Sequence, residues 1–161
     1  MNLVQPYYIE PRAKDAHIDL EGFWSFAWAD EAQEYFPASF WRYETSLPKS
    51  LYWSLFEAGV LPDPYYGTNS KAYHWVDEKI WYYKKTFPLD ETAKGKRAYL
   101  CFDGVAYYSR LWVNGVLLGE HEGMFGGPAC DVTQYLHFLG ENEIVVEVKA
   151  CDYACKGGFL D

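Results

Sequence analysis

A chain of 161 residues makes one domain with room for a sizeable core. Half of it is hydrophobic and a fifth aromatic, which leans toward pleated sheet and supplies flat rings able to stack on sugars. The net charge of −9 speaks against a nucleic-acid binder, which carries a basic patch, and against an anionic membrane surface, and no apolar run approaches a membrane span.

Residues 1–17, with Pro6 and Pro11, read as an extended lead-in. They lack the charged region and apolar core of a signal peptide, so the expected compartment is cytoplasmic. Cys101, Cys130, Cys151 and Cys155 then read as reduced thiols rather than disulfides. Their spacing is not that of a metal site, and His17, His74, His121 and His137 are scattered; neither a metal nor a cofactor is expected. Phe23 and Trp24 begin a strand that runs to about Trp28. The polar stretch Asp30–Phe40 reads as a short helix or a loop, and Trp41–Leu47 as a second strand.

After Pro48, the spacing of Leu51, Leu55, Phe56 and Ala58 predicts a short amphipathic helix, which Gly59 stops as a C-cap. Leu61-Pro62-Asp63-Pro64 must be extended or turned, and Tyr65–Asn69 is a loop. Ile80–Leu89 is a strand and Asp90–Gly95 a polar turn.

From Lys96 to Glu122 the pattern is that of an antiparallel meander. Ala98, Leu100 and Phe102 alternate with polar neighbours; Ser109, Leu111 and Val113 form the inward set of a second strand; Val116–Leu118 return as a third. Between the last two, Asn114-Gly115 fits a type I′ turn, whose central residues both need positive φ. The Gly-rich loop Glu120–Pro128 lacks a Walker Lys-Ser/Thr ending, and His121 reads as a solvated loop residue. Ala129–Val132 is a short strand and Thr133–Leu136 a helical turn capped by Asp131 or Thr133; Leu139–Asn142 is a turn. In the last strand Ile144, Val146 and Val148 face inward, with Glu143, Val145 and Glu147 outward. Short strands separated by turns imply an all-β, jelly-roll β-sandwich.

Several blocks carry a resemblance. Leu20, Gly22, Trp24 and Phe26 match an L-x-G-x-W-x-F opening; FDGVAYYSRLWVNGVLLGEHEGMF, DVTQYL and GENEIVVEV follow in order. From about Leu20 to Lys149 the chain resembles the N-terminal sugar-binding domain of glycoside hydrolase family 2. The run through Leu55, Ala58, Gly59, Pro62, Asp63, Pro64, Tyr65, Tyr66, Gly67 and Asn69, continued by Trp75, Val76, Trp81, Tyr83 and Phe87, is most similar to the β-mannosidase branch. The resemblance implies a galactose-binding-domain-like sandwich, with carbohydrate and a downstream catalytic barrel of the same polypeptide as partners. It implies that both catalytic glutamates lie in that barrel, so no catalytic residue is expected here. It also implies that the closing strands fall past Lys149, leaving an exposed sheet edge or a mobile C-terminus and a dimer formed by strand pairing.

In such enzymes, loops of the first domain reach the rim of the sugar pocket. Asp63, Tyr65, Tyr66, Asn69, His74 and Trp75 are the candidates here. The competing reading is structural for each: Asp63 between prolines is a common turn residue, and Trp75 can anchor the strand behind it. Three other readings stay open: a free-standing carbohydrate-binding module, a parent of β-galactosidase or β-glucuronidase type, and a purely structural interaction domain.

Overall fold

The computed structural model describes residues 17–151. The lead-in containing Pro6 and Pro11, Cys155 and the C-terminal stretch 152–161 lie outside them. Strand β1 (Gly22–Ala29) starts where Gly22 takes a φ of 88°, and its Trp24 Nε1 donates to the Leu20 carbonyl at 2.8 Å. That bond explains the Leu-x-Gly-x-Trp spacing: the chain must double back before the first inward ring. β2 (Tyr43–Leu47) pairs antiparallel with β1 on one side, and β3 (Ile80–Leu89) on the other. β8 (Gly140–Lys149) lies between β3 and β5 (Tyr108–Val113), and β6 (Val116–Glu122) forms the far edge. The six-stranded sheet thus runs β2-β1-β3-β8-β5-β6. β4 (Tyr99–Cys101) and β7 (Ala129–Asp131) make a second, two-stranded sheet. Together they give the all-β sandwich of jelly-roll type.

The expected meander is half right. Asn114 (φ 48°) and Gly115 (φ 78°) do turn β5 into β6. The strand before them does not join this sheet: Leu100 lies opposite Cys130 in the smaller one. Alternation along 98–103 reports a buried face and is silent about which strand is the partner.

Between the sheets sit Trp24, Phe26, Trp81, Tyr83, Leu111, Val113, Ile144 and Val146, with Leu100 from the smaller sheet and Val132 just past its second strand. Helix α1 (Leu51–Glu57) covers the β2 side of this core. Ser50 Oγ accepts from Trp53 N at 3.3 Å at its start, Leu55 is fully buried, and Thr45 Oγ1 bonds Ser54 Oγ at 2.7 Å. Gly59, at φ 69°, ends it as the sequence predicts.

The opposite face of the large sheet corrects a second expectation. Val145 and Glu147 do not face solvent; they are buried with Tyr82 and Trp112 beneath the segment 30–41. Phe36 and Phe40 of that segment pack on Tyr82, Phe36 also on Trp112, and Trp41 packs on both phenylalanines. A polar network ties it down. Tyr82 OH donates to Glu147 Oε2 at 2.7 Å and accepts from Gln33 N at 2.8 Å. Arg110 reaches Glu147 Oε1 at 2.8 Å through Nε and Glu34 Oε1 at 2.5 Å through Nη1. Burial, then the bond to Glu147, pushes the Tyr82 phenol well above its ordinary range.

His121 is the third correction. It lies on β6 and is buried, its ring held against Gly123 and Gly127. Alternation along an edge strand that outlasts Leu118 puts it inward, between the exposed Glu120 and Glu122.

Two outcomes test this frame. Glu147→Ala leaves the Arg110 guanidinium and the Tyr82 phenol without their shared acceptor; a loss of about 3 kcal/mol is expected in urea unfolding. Asp131 accepts from Thr133 N at 3.0 Å and Thr133 Oγ1 at 2.5 Å on one oxygen, and from Arg97 Nη2 at 2.8 Å on the other. The Thr133 hydroxyl first, then Arg97, pulls its pKa from 3.8 to about 2. The folded value lies below the unfolded one, so this stabilisation is present above the unfolded pKa and is lost as pH falls through the folded one. Asp131→Asn should flatten that acid limb of the melting temperature, and NMR titration should place the carboxyl near the lower value.

Candidate functional site

The segment 59–79 runs from the end of α1 to the start of β3, and its path is fixed by its own polar groups. Asp63 Oδ1 accepts from Tyr65 N at 2.9 Å, an Asx turn of the kind Asp after proline favours. Asn69 Nδ2 donates to the Asp63 carbonyl at 3.0 Å, and Tyr73 OH to the Pro62 carbonyl at 2.6 Å. Gly67 sits at φ 57° between these clasps, where a side chain would strain the turn.

The six candidate residues divide by environment. Asp63 and Asn69 are half-buried and spend those contacts on the loop. Trp75 is also half-buried; its ring lies 5.3 Å from Trp28 and 5.9 Å from Trp81, at the margin of the core. Tyr65 and Tyr66 are 86% and 76% exposed. The Tyr65 ring is tilted 6.4 Å from Trp53, on the outer side of α1. His74 is exposed on the rim of a shallow depression of about 200 Å³, which Tyr52, Pro64, Ser70, Tyr73 and Asp77 line with it.

The depression combines ring faces with hydrogen-bonding groups. Tyr52 and Tyr73 meet edge to face at 5.1 Å, and Tyr52 OH bonds Asp77 Oδ1 at 3.1 Å. Burial, then the nearby Asp63 charge, raises the Tyr73 phenol pKa, so it is a neutral donor at any ordinary pH. Aromatic faces bordered by a carboxylate, an imidazole and a hydroxyl suit a polyol. Asp77 is the one carboxylate in its lining. Among the described residues, no three His, Cys, Asp or Glu side chains gather as a metal site would require.

Of the residues lining this depression, the sequence candidates include His74 but not Tyr52, Ser70, Tyr73 or Asp77. Tyr52 faces away from the Leu51–Leu55 stripe of α1, and nothing in spacing brings it to a carboxylate 25 residues on. Tyr73 carried no such signal either: Tyr65 and Tyr66 stand closer to Pro62 and Pro64 in sequence, and only folding brings the Tyr73 hydroxyl to the Pro62 carbonyl.

Substitution should separate scaffold from surface. Tyr73→Phe removes the bond to the Pro62 carbonyl, with about 1 kcal/mol lost in urea unfolding. Tyr65→Ser and Tyr66→Ser should each stay within about 0.5 kcal/mol of the parent, as exposed side chains do.

Against known proteins, residues 24–156 match the family model described as glycosyl hydrolase 2 galactose-binding domain-like. A protein named beta-mannosidase B from Thermothelomyces thermophilus is 32% identical over 80% of this chain and 14% of its own length. A beta-galactosidase from Thermoanaerobacter pseudethanolicus is also 32% identical, over 62% of this chain and 14% of itself. Among solved structures, the beta-D-mannosidase from Dictyoglomus thermophilum superposes with a TM-score of 0.69 at 30% identity, over 83% of this chain and 15% of that one. The chain therefore spans only a small part of the length of the relatives it matches.

Proposed function

This chain belongs to the glycosyl hydrolase 2 galactose-binding domain-like family, and from that premise we propose that it works as the accessory β-sandwich of a longer, β-mannosidase-like glycosidase. What supports this most is the extent of the match: 80% of the chain aligns, yet it spans only 14% of the length of the beta-mannosidase B it resembles. The two carboxyl groups of a retaining mechanism, one to protonate the leaving oxygen and one to attack the sugar, would then come from the rest of that polypeptide. This domain would contribute a wall of the sugar pocket.

On that wall we assign the sugar-facing roles to His74, Tyr65 and Tyr66, together with Tyr52 and Asp77 in the depression. Asp63, Asn69 and Trp75 hold the loop in shape. Ring faces would stack on the sugar, and Asp77 and His74 would bond its hydroxyls. Terminal β-mannosides are the proposed substrate of the whole enzyme. Strand pairing through the β2 or β6 edge is the self-association this sheet offers, and size-exclusion chromatography at high concentration reads it.

A second reading rests on the exposed Tyr65 beside Trp53. An aromatic surface of this kind also suits a module that binds sugar by itself. The pure 161-residue chain decides between them. An accessory domain shows no turnover of an aryl β-mannoside and no NMR shifts at millimolar mannose. Turnover by this chain would sink the proposal, and sugar-induced shifts confined to Tyr65 and Trp53 would favour the module. In the longer polypeptide, His74→Ala should lower kcat/KM about tenfold; unchanged kinetics would remove the loop from the pocket.

A further inference from the structure

The loop between β6 and β7 is held with unusual closeness. Gly123 N donates to the Tyr107 carbonyl at 3.0 Å and Gly126 N to the Asp103 carbonyl at 2.9 Å, while Phe102 N donates to the Pro128 carbonyl at 2.9 Å. A Cβ on Gly104 would stand 2.3 Å from the Met124 carbonyl oxygen, and one on Gly127 would stand 2.8 Å from His121 Nε2. The loop therefore rests against the 102–107 segment and the buried His121 ring with no room for a side chain at either contact. Yet its tip turns outward: Phe125 is 85% exposed and Met124 53%. A well-packed base carrying two adjacent apolar side chains into water is a preformed knob. Its backbone loses little freedom on docking, which lowers one of the costs of association.

Its place in the fold says what it meets. Tyr108 pairs with Glu122 at the base of the loop on one side and with Lys149, the last residue of β8, on the other. Lys149 O also accepts from Tyr107 N at 3.2 Å. The chain thus leaves the large sheet within two strand spacings, roughly 10 Å, of the loop's base. A body joined beyond Lys149 is tethered at the same end of the sheet as this loop. Exposed carboxylates, Asp103 and Glu122, stand at the loop's foot.

We infer that Met124 and Phe125 seat this domain on the remainder of the longer glycosidase, in an apolar pocket whose rim carries lysine or arginine. Met and aromatic residues at the centre of a contact with charge at its edge is the usual anatomy of such an interface. The inference rests on the accessory-domain reading above.

Peroxide oxidation followed by mass spectrometry tests it. Met124 in the 161-residue chain should oxidise freely, and in the full-length polypeptide about tenfold more slowly, because oxidation follows exposure. Phe125→Ser in the full-length polypeptide should return Met124 to the fast rate while the isolated chain's melting temperature stays put. Equal rates for the two wild-type forms, in a full-length polypeptide that cleaves β-glycosides, would overturn the knob and leave the accessory role standing. A native polypeptide no larger than this chain would overturn both. Protection that grows with the concentration of the isolated chain would assign the knob to a second copy and overturn the inference.

Discussion

The central strands of this fold have no face to spare for water. β3, β8 and β5 lie inside a six-stranded sheet, and each sends large apolar side chains to both sides. One face is closed by the smaller sheet, α1 and the loop that follows α1. The other is closed by the connection between β1 and β2, folded back as a strap. Covering both sides is the condition under which Tyr82, Trp112 and Val145 stop being an aggregation hazard and become a second core.

The strap brings a difficulty of its own, since it carries carboxylates and backbone donors over an apolar surface. Glu147 answers it by accepting from Tyr82 and Arg110 at once, so that a buried charge has its counter-charge and its hydrogen bonds together. Arg110 in turn lies 4.8 Å over the Trp112 ring and reaches Glu34 on the strap. Arg110, Glu147 and Tyr82, from β5, β8 and β3, thus jointly hold a segment that has only a single 3-10 turn of its own.

Much of this was legible in the sequence. Ile80–Leu89 has the predicted bounds, α1 begins at Leu51 and is closed by Gly59, and Asn114-Gly115 turns where its residue types demand. These features are local: a cap, a period, a pair of positive φ values. What was misread depends on distant partners. Val145 and Glu147 alternate as an outward set would, and only a strap more than a hundred residues earlier makes that side an interior. Ala98–Phe102 show their buried face but not that Cys130 is opposite Leu100. His121 sat in a Gly-rich run that reads as loop, because the glycines answer to its own ring. At the candidate site the loop's turn chemistry was visible, whereas the meeting of Tyr52 with Asp77 is a product of tertiary folding.

Asn114 does more than turn the chain. Its Oδ1 accepts from Glu143 N at 2.8 Å, and its Nδ2 donates to the Tyr135 carbonyl at 2.7 Å and to Asn142 Oδ1 at 2.8 Å. An asparagine followed by glycine is also the pair most open to chemical ageing, in which the next backbone nitrogen attacks the side-chain carbonyl carbon, ammonia departs and a succinimide forms. Here every polar atom of that amide is engaged, so the carbonyl cannot swing toward Gly115 while the hairpin is intact. The turn that the sequence makes possible is thereby shielded by the structure it creates, and deamidation at this one position becomes a record of the time each molecule has spent unfolded.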